Sequence, residues 1–524
     1  MFEGENKREK ILVLLTMCFA LFMAMLDNTV VNVAVPTIAR DLHAGISELQ
    51  WIIDGYVLAF ASLLLTGGIL GDRYGRKRMF MSGLAVFTLA SLGCGMSSAT
   101  ETLIAFRVLQ GVGAALLMPG TLSILTVTFP PQERAKAIGI WAGVSGIALA
   151  LGPTGGGWLV QHVSWESVFF LNVPIGIVGF LIAARVVTES RSEETRRLDI
   201  PGLALGSAAL FSATFGLIEA NDKGWTSATI LAALGLAAVL LACFLVWETK
   251  SDHAMMPLRF FRIPAFSAGN HVAFSVSLGM FGVFLFISLY MQNIRGYSPF
   301  AAGLAFLPMT AMIIFVAPNA GKIAQKRGSR MPMTAGLLMS ATGLALLSFI
   351  GADTHYLLLL PIFVLMGSGM GMTMTPMTAA VMNAVGPERA GLGSAMTNTS
   401  REVGGVLGIA LLGTILTTKL KSSFTVALTA IAGLPAAQAQ ALAADAGHGR
   451  LGAEVVGTLA PEQQAAIFHA YQTSFMSGFH LALLFGSAVL FSAAFVAHRY
   501  VPSGAPQRDA HHPSADQPTE AMAR

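Results

Sequence analysis

Residues 11–35 read ILVLLTMCFALFMAMLDNTVVNVAV, with Asp27 the one charged side chain in the run. A helix needs about 20 apolar residues to cross the ~30 Å hydrocarbon core of a bilayer. Lys7, Arg8 and Lys10 stand just before the run, as basic residues do before a secretory leader. A leader's apolar region ends after ~7–15 residues, and this one continues far beyond that. The segment therefore reads as an uncleaved first transmembrane helix. Helix is the form required, because backbone N–H and C=O groups in lipid must find partners within their own segment.

Comparable runs follow at 49–70, 79–97, 102–127, 136–160, 168–187, 200–219, 227–247, 266–291, 299–320, 332–350, 356–383, 402–418 and 473–498. Together they predict an all-α integral membrane protein with 14 transmembrane helices. Composition points the same way: 54% of the 524 residues are apolar and 11% charged, against ~25% charged in soluble domains. So little charge cannot cover a water-facing surface of this size. The net charge of +4 is modest, and the basic residues are scattered between apolar blocks, which argues against a nucleic-acid partner. Cys18, Cys94 and Cys243 lie far apart in apolar runs without a CxxC. They read as small buried hydrophobes and imply neither a disulfide framework nor a metal site.

Basic residues in the connections fix the orientation. With the N-terminus inside, about 25 of the 32 Lys and Arg face the cytoplasm and about 6 face outside, with Arg107 left within a span. Cytoplasmic clusters include Arg73/Arg76/Lys77/Arg78, Arg191/Arg196/Arg197 and Lys322/Lys326/Arg327/Arg330. An even number of spans returns the C-terminus to the cytoplasm, so the expected location is the plasma (inner) membrane, multi-pass, with both termini cytoplasmic.

The chain echoes itself. GILGDRYGRK at 68–77 follows span 2, and GKIAQKRGSR at 321–330 follows span 10. Pro131-Gln132-Glu133-Arg134-Ala135 before span 5 is matched, at nearly the same offset, by Pro387-Glu388-Arg389-Ala390 before span 13. Two echoes at one spacing predict two pseudo-symmetric six-helix halves, a known transporter plan. The expected division is an N-terminal bundle at 11–187, an inserted helix pair with its linkers at 188–265, and a C-terminal bundle at 266–500. The last includes an Ala-, Gly- and Gln-rich extracellular loop, 419–471. Residues 501–524 read as a disordered cytoplasmic tail, and its His511-His512 pair is too isolated to imply a metal.

Four segments carry a family resemblance that covers essentially 11–500. Leu26-Asp27-Asn28-Thr29-Val30-Val31-Asn32-Val33-Ala34-Val35-Pro36 is similar to an LDxTVVNVALP pattern, with Val35 where Leu is usual. Gly68 to Lys77 fits GxLaDRxGRK. Arg107-Val108-Leu109-Gln110-Gly111-Val112-Gly113-Ala114-Ala115 resembles RxxQGxGaA. Gly152-Pro153-Thr154-Gly155-Gly156-Gly157 resembles GPxxGG. These mark the fourteen-span drug–proton antiporter branch of the major facilitator superfamily. The chain departs from it at Ala148, where Gly is usual, and at Gln325, where the second loop copy lacks the counterpart of Asp72. The resemblance implies a cytoplasmic gate loop built from Gly68, Asp72, Arg73, Gly75 and Arg76 that locks the halves together. It also implies an antiporter helix, marked by Gly152, Pro153, Gly156 and Gly157, that seals the outer side.

The residues themselves narrow the chemistry. Asp27, some sixteen residues into span 1, is ~24 Å from the inner end, where a carboxylate costs ~2.5 kcal/mol or more. Asp54 and Arg107 each lie ~7–8 Å below the outer end. Three charges at comparable depth predict a shared site in which Arg107 pairs with Asp27 or Asp54 and tunes its protonation. Gly152-Pro153 predicts a bent helix, and Gly155, Gly156 and Gly157 close packing. His271 and Glu219 are further ionisable candidates. Met and Phe in the spans suit a pliable pocket for varied apolar ligands.

No Walker loop is present, no nucleophile–base set implies an enzyme, and no cofactor is expected. The reading is a secondary exporter of hydrophobic or cationic small molecules in exchange for protons, working in the lipid bilayer as a monomer. A dedicated exporter of one metabolite, siderophore, amino acid or lipid shares every motif. A non-transporting membrane sensor or scaffold is the alternative from another class, and it would not need Asp27 or Arg107.

Overall fold

The computed structural model describes residues 7–129, 131–191, 199–251, 254, 256, 258–385, 390–431, 434, 438, 442 and 459–503. These residues form helices and short connections, with no strand among them. In order they are α1 (Lys7–Asp41), α2 (Ile46–Tyr74), α3 (Arg76–Gly95), α4 (Thr100–Thr128), α5 (Pro131–His162), α6 (Ser167–Val186), α7 (Ile200–Lys223), α8 (Ala228–Lys250), α9 (Pro264–Ile294), α10 (Pro299–Arg327), α11 (Arg330–Leu347), α12 (Tyr356–Val385), α13 (Ala390–Thr429) and α14 (Pro461–Tyr500). Among the described residues, 11 helices are long and apolar enough to cross a membrane. The number is 12 if α2, bent by 51° between Ile46–Leu64 and Thr66–Tyr74, is taken as one span.

The helices assemble in a repeating pattern. α4 packs on α2 and α3, α3 on α6, and α1 on α4, α5 and α6. Eight helices later the same contacts recur: α12 packs on α10 and α11, α11 on α14, and α9 on α12, α13 and α14. The two groups meet where α2 touches α13, α5 touches α10 and α1 touches α9. α7 and α8 pair with each other, and α7 rests on α2 and α13. Only 17% of α8's most apolar window is buried. An apolar helix so exposed has lipid as its natural surroundings. Cys243, on α8, is exposed, unlike buried Cys18 and Cys94, so the expectation of three buried cysteines holds for two.

The helices overrun the limits set by hydropathy. α1 continues through Pro36 to Asp41. α13 starts at Ala390 and α14 at Pro461, so the segment expected as a loop, 419–471, is helical at both ends. The reason is a helical stripe that an averaged hydropathy dilutes. Leu420, Phe424 and Leu428 recur every four residues on α13, Ile467 and Tyr471 do so on α14, and all five are buried. Phe424 meets Tyr471 edge-on at 5.8 Å. Span 10 is interrupted at Phe306, between Pro299–Ala305 and Leu307–Arg327. The tail from 504 onward, with His511 and His512, lies outside the described residues, as do Arg196, Arg197 and the 387–389 echo.

Close approach between helices rests on small residues. A Cβ at Gly67 would run into the backbone carbonyl of Ala115, where α2 crosses α4. At Gly71, one turn on, there is open space. Overpacking of this kind costs about 1–3 kcal/mol. Gly67→Val should therefore lower the thermal midpoint of the detergent-purified protein by several degrees, while Gly71→Ala leaves it unchanged. Equal midpoints for the two variants would contradict the α2–α4 crossing.

Candidate functional site

Asp27 is fully buried and accepts three hydrogen bonds, two from α4 and one from α6. Arg107 Nη1 on α4 donates to Asp27 Oδ2 at 2.6 Å. Asp27 Oδ1 accepts from Gln110 Nε2 of α4 at 2.8 Å and from Asn172 Nδ2 of α6 at 2.9 Å. Arg107 Nη1 also donates to Gln110 Oε1 at 2.6 Å, and its Nε donates to the carbonyl of Ile52 at 3.0 Å. Ser91 Oγ on α3 accepts from Gln110 Nε2 at 2.7 Å. The Tyr56 ring lies under the guanidinium, 4.4 Å from its carbon to the ring centre. Side-chain exposure is 1% for Arg107 and 0% for Asp27.

That burial decides the energetics. Removing two ions from water costs several kcal/mol each. It is offset only when charge meets charge and the remaining lone pairs are filled, as the amides of Gln110 and Asn172 do here. Helix periodicity places the parts: Arg107 and Gln110 are three residues apart on α4, so they share a face.

Asp54 stands apart from this centre. Gln50 and Trp51, one turn earlier on α2, point at other helices. Gln50 Nε2 donates to the carbonyls of Ile409 (2.8 Å) and Ala410 (3.4 Å) on α13, and Trp51 Nε1 donates to Glu219 Oε1 on α7 at 3.1 Å. Ile52 and Tyr56 face α4 instead. Asp54 therefore lies on the side of α2 turned from Arg107, and both its buried oxygens lack a hydrogen-bond partner among the described residues. The expectation of one three-charge cluster is corrected: the ion pair joins Arg107 to Asp27, and Asp54 belongs to a different interface. Equal depth fixed the level of these residues but not their direction around the helix.

The loop between α2 and α3 is tightly tied. Asp72 Oδ1 pairs with Arg76 at 2.8 Å. Gly75 takes φ 114, a conformation that favours glycine. Glu189, just after α6, accepts the backbone N–H groups of Lys77 (3.1 Å) and Arg78 (3.2 Å) at the start of α3, where a negative charge is favoured. Arg76 N–H donates to the Ser190 carbonyl at 2.9 Å and Lys77 Nζ to the Ala184 carbonyl at 2.8 Å. Arg73 lies over the Tyr74 ring, and a Cβ at Gly68 would make ordinary contact with Pro119 at 3.6 Å. All these contacts stay within α2–α6 and the segment that follows.

On α5, a Cβ at Gly152 or Gly156 would strike Thr29 or Val30 of α1, two and three residues past Asp27. A Cβ at Gly157 would strike Pro299 and Phe300, and Pro153 offers its carbonyl side to Gly303 on α10. Gly155 faces open space, so the expected close packing holds for Gly156 and Gly157 and not for Gly155. Glu219 bonds Trp51 and Lys223, and His271 is exposed on α9.

The Major Facilitator Superfamily pattern matches residues 17–409. The chain belongs to this superfamily. It is 36% identical to the tetracenomycin C resistance and export protein of Streptomyces glaucescens, over 92% of this chain and 90% of that protein. It is 39% identical to the methylenomycin A resistance protein of Streptomyces coelicolor, over 75% of this chain and 83% of that one. Multidrug resistance protein Stp of Mycobacterium tuberculosis is 36% identical over 79% and 78%. The fold is that of a bacterial homolog of the human lysosomal transporter Spinster, with a TM-score of 0.61 at 19% identity, over 95% of this chain and 100% of that one.

Sequence reading of this superfamily member missed Ser91, Asn172 and Glu402, and quoted Gln110 only as a motif letter. A lone Asn in an apolar run is a signal for interhelical hydrogen bonding, and Asn172 is one. Glu402 stands at the hydropathy limit of the run 402–418. α13 begins at Ala390, so Glu402 lies well inside a helix. Breaking a buried ion pair from one side costs 3–5 kcal/mol. Arg107→Lys keeps the charge but not the three-directional donation. It should reduce transport at least tenfold with normal membrane abundance, measured by efflux assay alongside immunoblot; wild-type transport would show the donation pattern to be dispensable.

Proposed function

We propose that this chain is a proton-coupled exporter of hydrophobic or amphipathic drugs or antibiotics, crossing the plasma membrane fourteen times with both termini in the cytoplasm. The recurrent contacts of α1–α6 and α9–α14 support two halves, 11–187 and 266–500, with α7 and α8 inserted between them. The observation that carries the reading is the sealed Asp27–Arg107 pair in a chain whose relatives are named for antibiotic resistance and export.

Contacts between the halves support alternating access. Gln50 reaches α13, Gln292 Nε2 donates to the Val33 carbonyl at 3.0 Å, and Phe300 N–H donates to Gln161 Oε1 at 3.3 Å. All three lie toward the end of the bundle that carries few basic residues, the outer end by the positive-inside rule. The gate loop, at the other end, is tied within its own half.

Coupling follows from the pair. Protonating Asp27 removes the charge that holds Arg107, freeing the guanidinium for other acceptors. Deprotonation restores the pair and releases the proton on the side then open. Each half-cycle is thus bound to the protonation state of one carboxylate. The gradient suffices as a source of free energy: ~2.3 kcal/mol per charge per 100 mV and ~1.4 kcal/mol per pH unit. No cofactor enters, and one chain holds the whole site.

Single-compound export is the narrower reading, and the names of two relatives, each for one antibiotic, support it; Stp's name supports breadth. A substrate panel separates the two. In everted vesicles, adding a substrate should release protons, and a protonophore should abolish uptake. Asp27→Asn should lose proton release entirely while the purified variant still binds substrate. Gradient-driven transport by that variant would remove Asp27 from the coupling step.

A further inference from the structure

α7 and α8 are fastened to the C-terminal group at both of their ends. At the cytoplasmic end, by the same positive-inside rule, Asp199 Oδ1 caps α7 by accepting the Gly202 N–H at 2.9 Å. Trp247 Nε1, near the end of α8, donates to that same oxygen at 2.7 Å, so the two helices are tied into one unit. Buried Glu248 holds the chain just past α8, its Oε2 accepting the Met256 N–H at 2.9 Å. The short 3-10 turn Leu258–Arg262 then seats the buried Phe260 against Phe266 of α9, Val381 of α12 and Met396 of α13. The Phe266 ring centre lies 5.7 Å from that of Phe260 and 5.4 Å from that of Phe261. Drawing Phe260 out would leave a cavity among these side chains, which is costly. At the outer end, Thr414 of α13 donates to the Leu217 carbonyl of α7 at 2.6 Å.

Toward α2 the attachment is of another kind. Trp51 Nε1 donates to Glu219 Oε1 at 3.1 Å, and its ring stands 5.9 Å from that of Phe211 on α7. This bond can open without stranding either partner. Glu219 Oε2 also accepts from Lys223 Nζ, and the Lys223 side chain is 44% exposed. The carboxylate therefore keeps a counter-charge when the indole leaves. A tryptophan near the outer end of a span suits the membrane–water interface, where its N–H reaches water. Beside this bond, the Gln50 amide crosses the α2–α13 seam into the notch that Gly413 leaves.

We propose that α7 and α8 move as part of the C-terminal group, and that the Trp51–Glu219 bond is the latch holding the outer end of the α2–α13 seam shut. The assignment rests on the alternating-access reading. It adds which of the two bodies carries the inserted pair and which contact breaks when the outer end opens. Trp51 and Gln50 then leave with α2, while Leu217 stays on Thr414 and Phe260 stays seated. Glu219 is a positioning residue, since it stands apart from the Asp27–Arg107 pair and acts on the balance between two arrangements of the helices.

The test measures distances between paired spin labels on the full chain in lipid nanodiscs, at acidic and at alkaline pH. Exposed Cys243 is replaced by Ser so that it takes no label. Labels go on three exposed outer positions: Glu101 of α4, Thr229 of α8 and Lys421 of α13. Where the Glu101–Lys421 distance divides into a short and a long population, Glu101–Thr229 should divide in step, and Thr229–Lys421 should keep a single value. Trp51→Phe keeps a ring on Phe211 but removes the donor. That variant and Glu219→Ala should each raise the long Glu101–Lys421 population at least fivefold, and the double variant no more than either alone, as partners in one bond do. A merely structural role would lower the thermal midpoint without moving this ratio; should Trp51→Phe fail to accumulate, Glu219→Ala carries the measurement. A Thr229–Lys421 distance that divides overturns the proposal, whether the pair follows the N-terminal group or moves by itself, and leaves alternating access standing. An unchanged ratio in the variants overturns the latch. A Glu101–Lys421 distance that stays single at both pH values and in both variants overturns the alternating-access reading, and the proposal with it.

Discussion

A carboxylate and a guanidinium held 2.6 Å apart, with 0% and 1% of their side chains exposed, can persist only if each fills the other's electrostatic need. Neither can be ionised and alone at such depth without a cost of several kcal/mol. The rest of the α1–α6 group is arranged accordingly. Gln110 and Asn172 fill the second carboxylate oxygen, Ser91 steadies Gln110, and Ile52 and Tyr56 occupy the remaining sides of the guanidinium. These residues come from α1, α2, α3, α4 and α6, so the network around the pair also cross-links five helices and fixes their rotation.

Around that charge the helices are brought close by the absence of side chains. α1 touches α4, α5, α6 and α9, and it carries Asp27 at its middle. Gly152 and Gly156 of α5 lie on Thr29 and Val30, within a turn of Asp27, while Gly157 meets Phe300 on α10. One short stretch of α5 therefore contacts both the ion-pair helix and the other group of helices. A shift of α5 against α10 would be transmitted to α1 within a few residues, with no long chain of intermediaries. This is a physical reason for glycine at these three positions; Gly155, with open space before it, has no such reason.

Much of this could be read from the chain before any coordinates. Asp27 and Arg107 declared themselves because charge in a long apolar run is costly. The close packing of α5 declared itself through the glycines around Pro153, of which Gly152, Gly156 and Gly157 press on α1 and α10. What was not legible is direction. Depth along a helix follows from counting residues, whereas the face a side chain takes depends on which neighbours surround the helix. Asp54 and Arg107 have similar depths and opposite faces, and so they do not meet. Hydropathy averaging failed for a related reason at α13. Arg401 and Glu402 marked an apparent boundary, although the helix had begun at Ala390 and simply carried charge inward. The helical overruns at 419–429 and 461–472 were hidden because their buried stripe alternates with polar residues.

The placement of α7 gives the seam a further constraint. Trp51 of α2 donates to Glu219 of α7, and Thr414 of α13 donates to the Leu217 carbonyl of α7 at 2.6 Å. One helix is thus bonded to both sides of the α2–α13 contact, at nearly one level, where Gln50 also bridges. Buried hydrogen bonds in hydrocarbon are not replaced by water when broken. The three bonds together make this end of the seam the costly place to open and leave the stretch past Asp54 and Glu402, where carboxylate oxygens lack partners among the described residues, as the easier one.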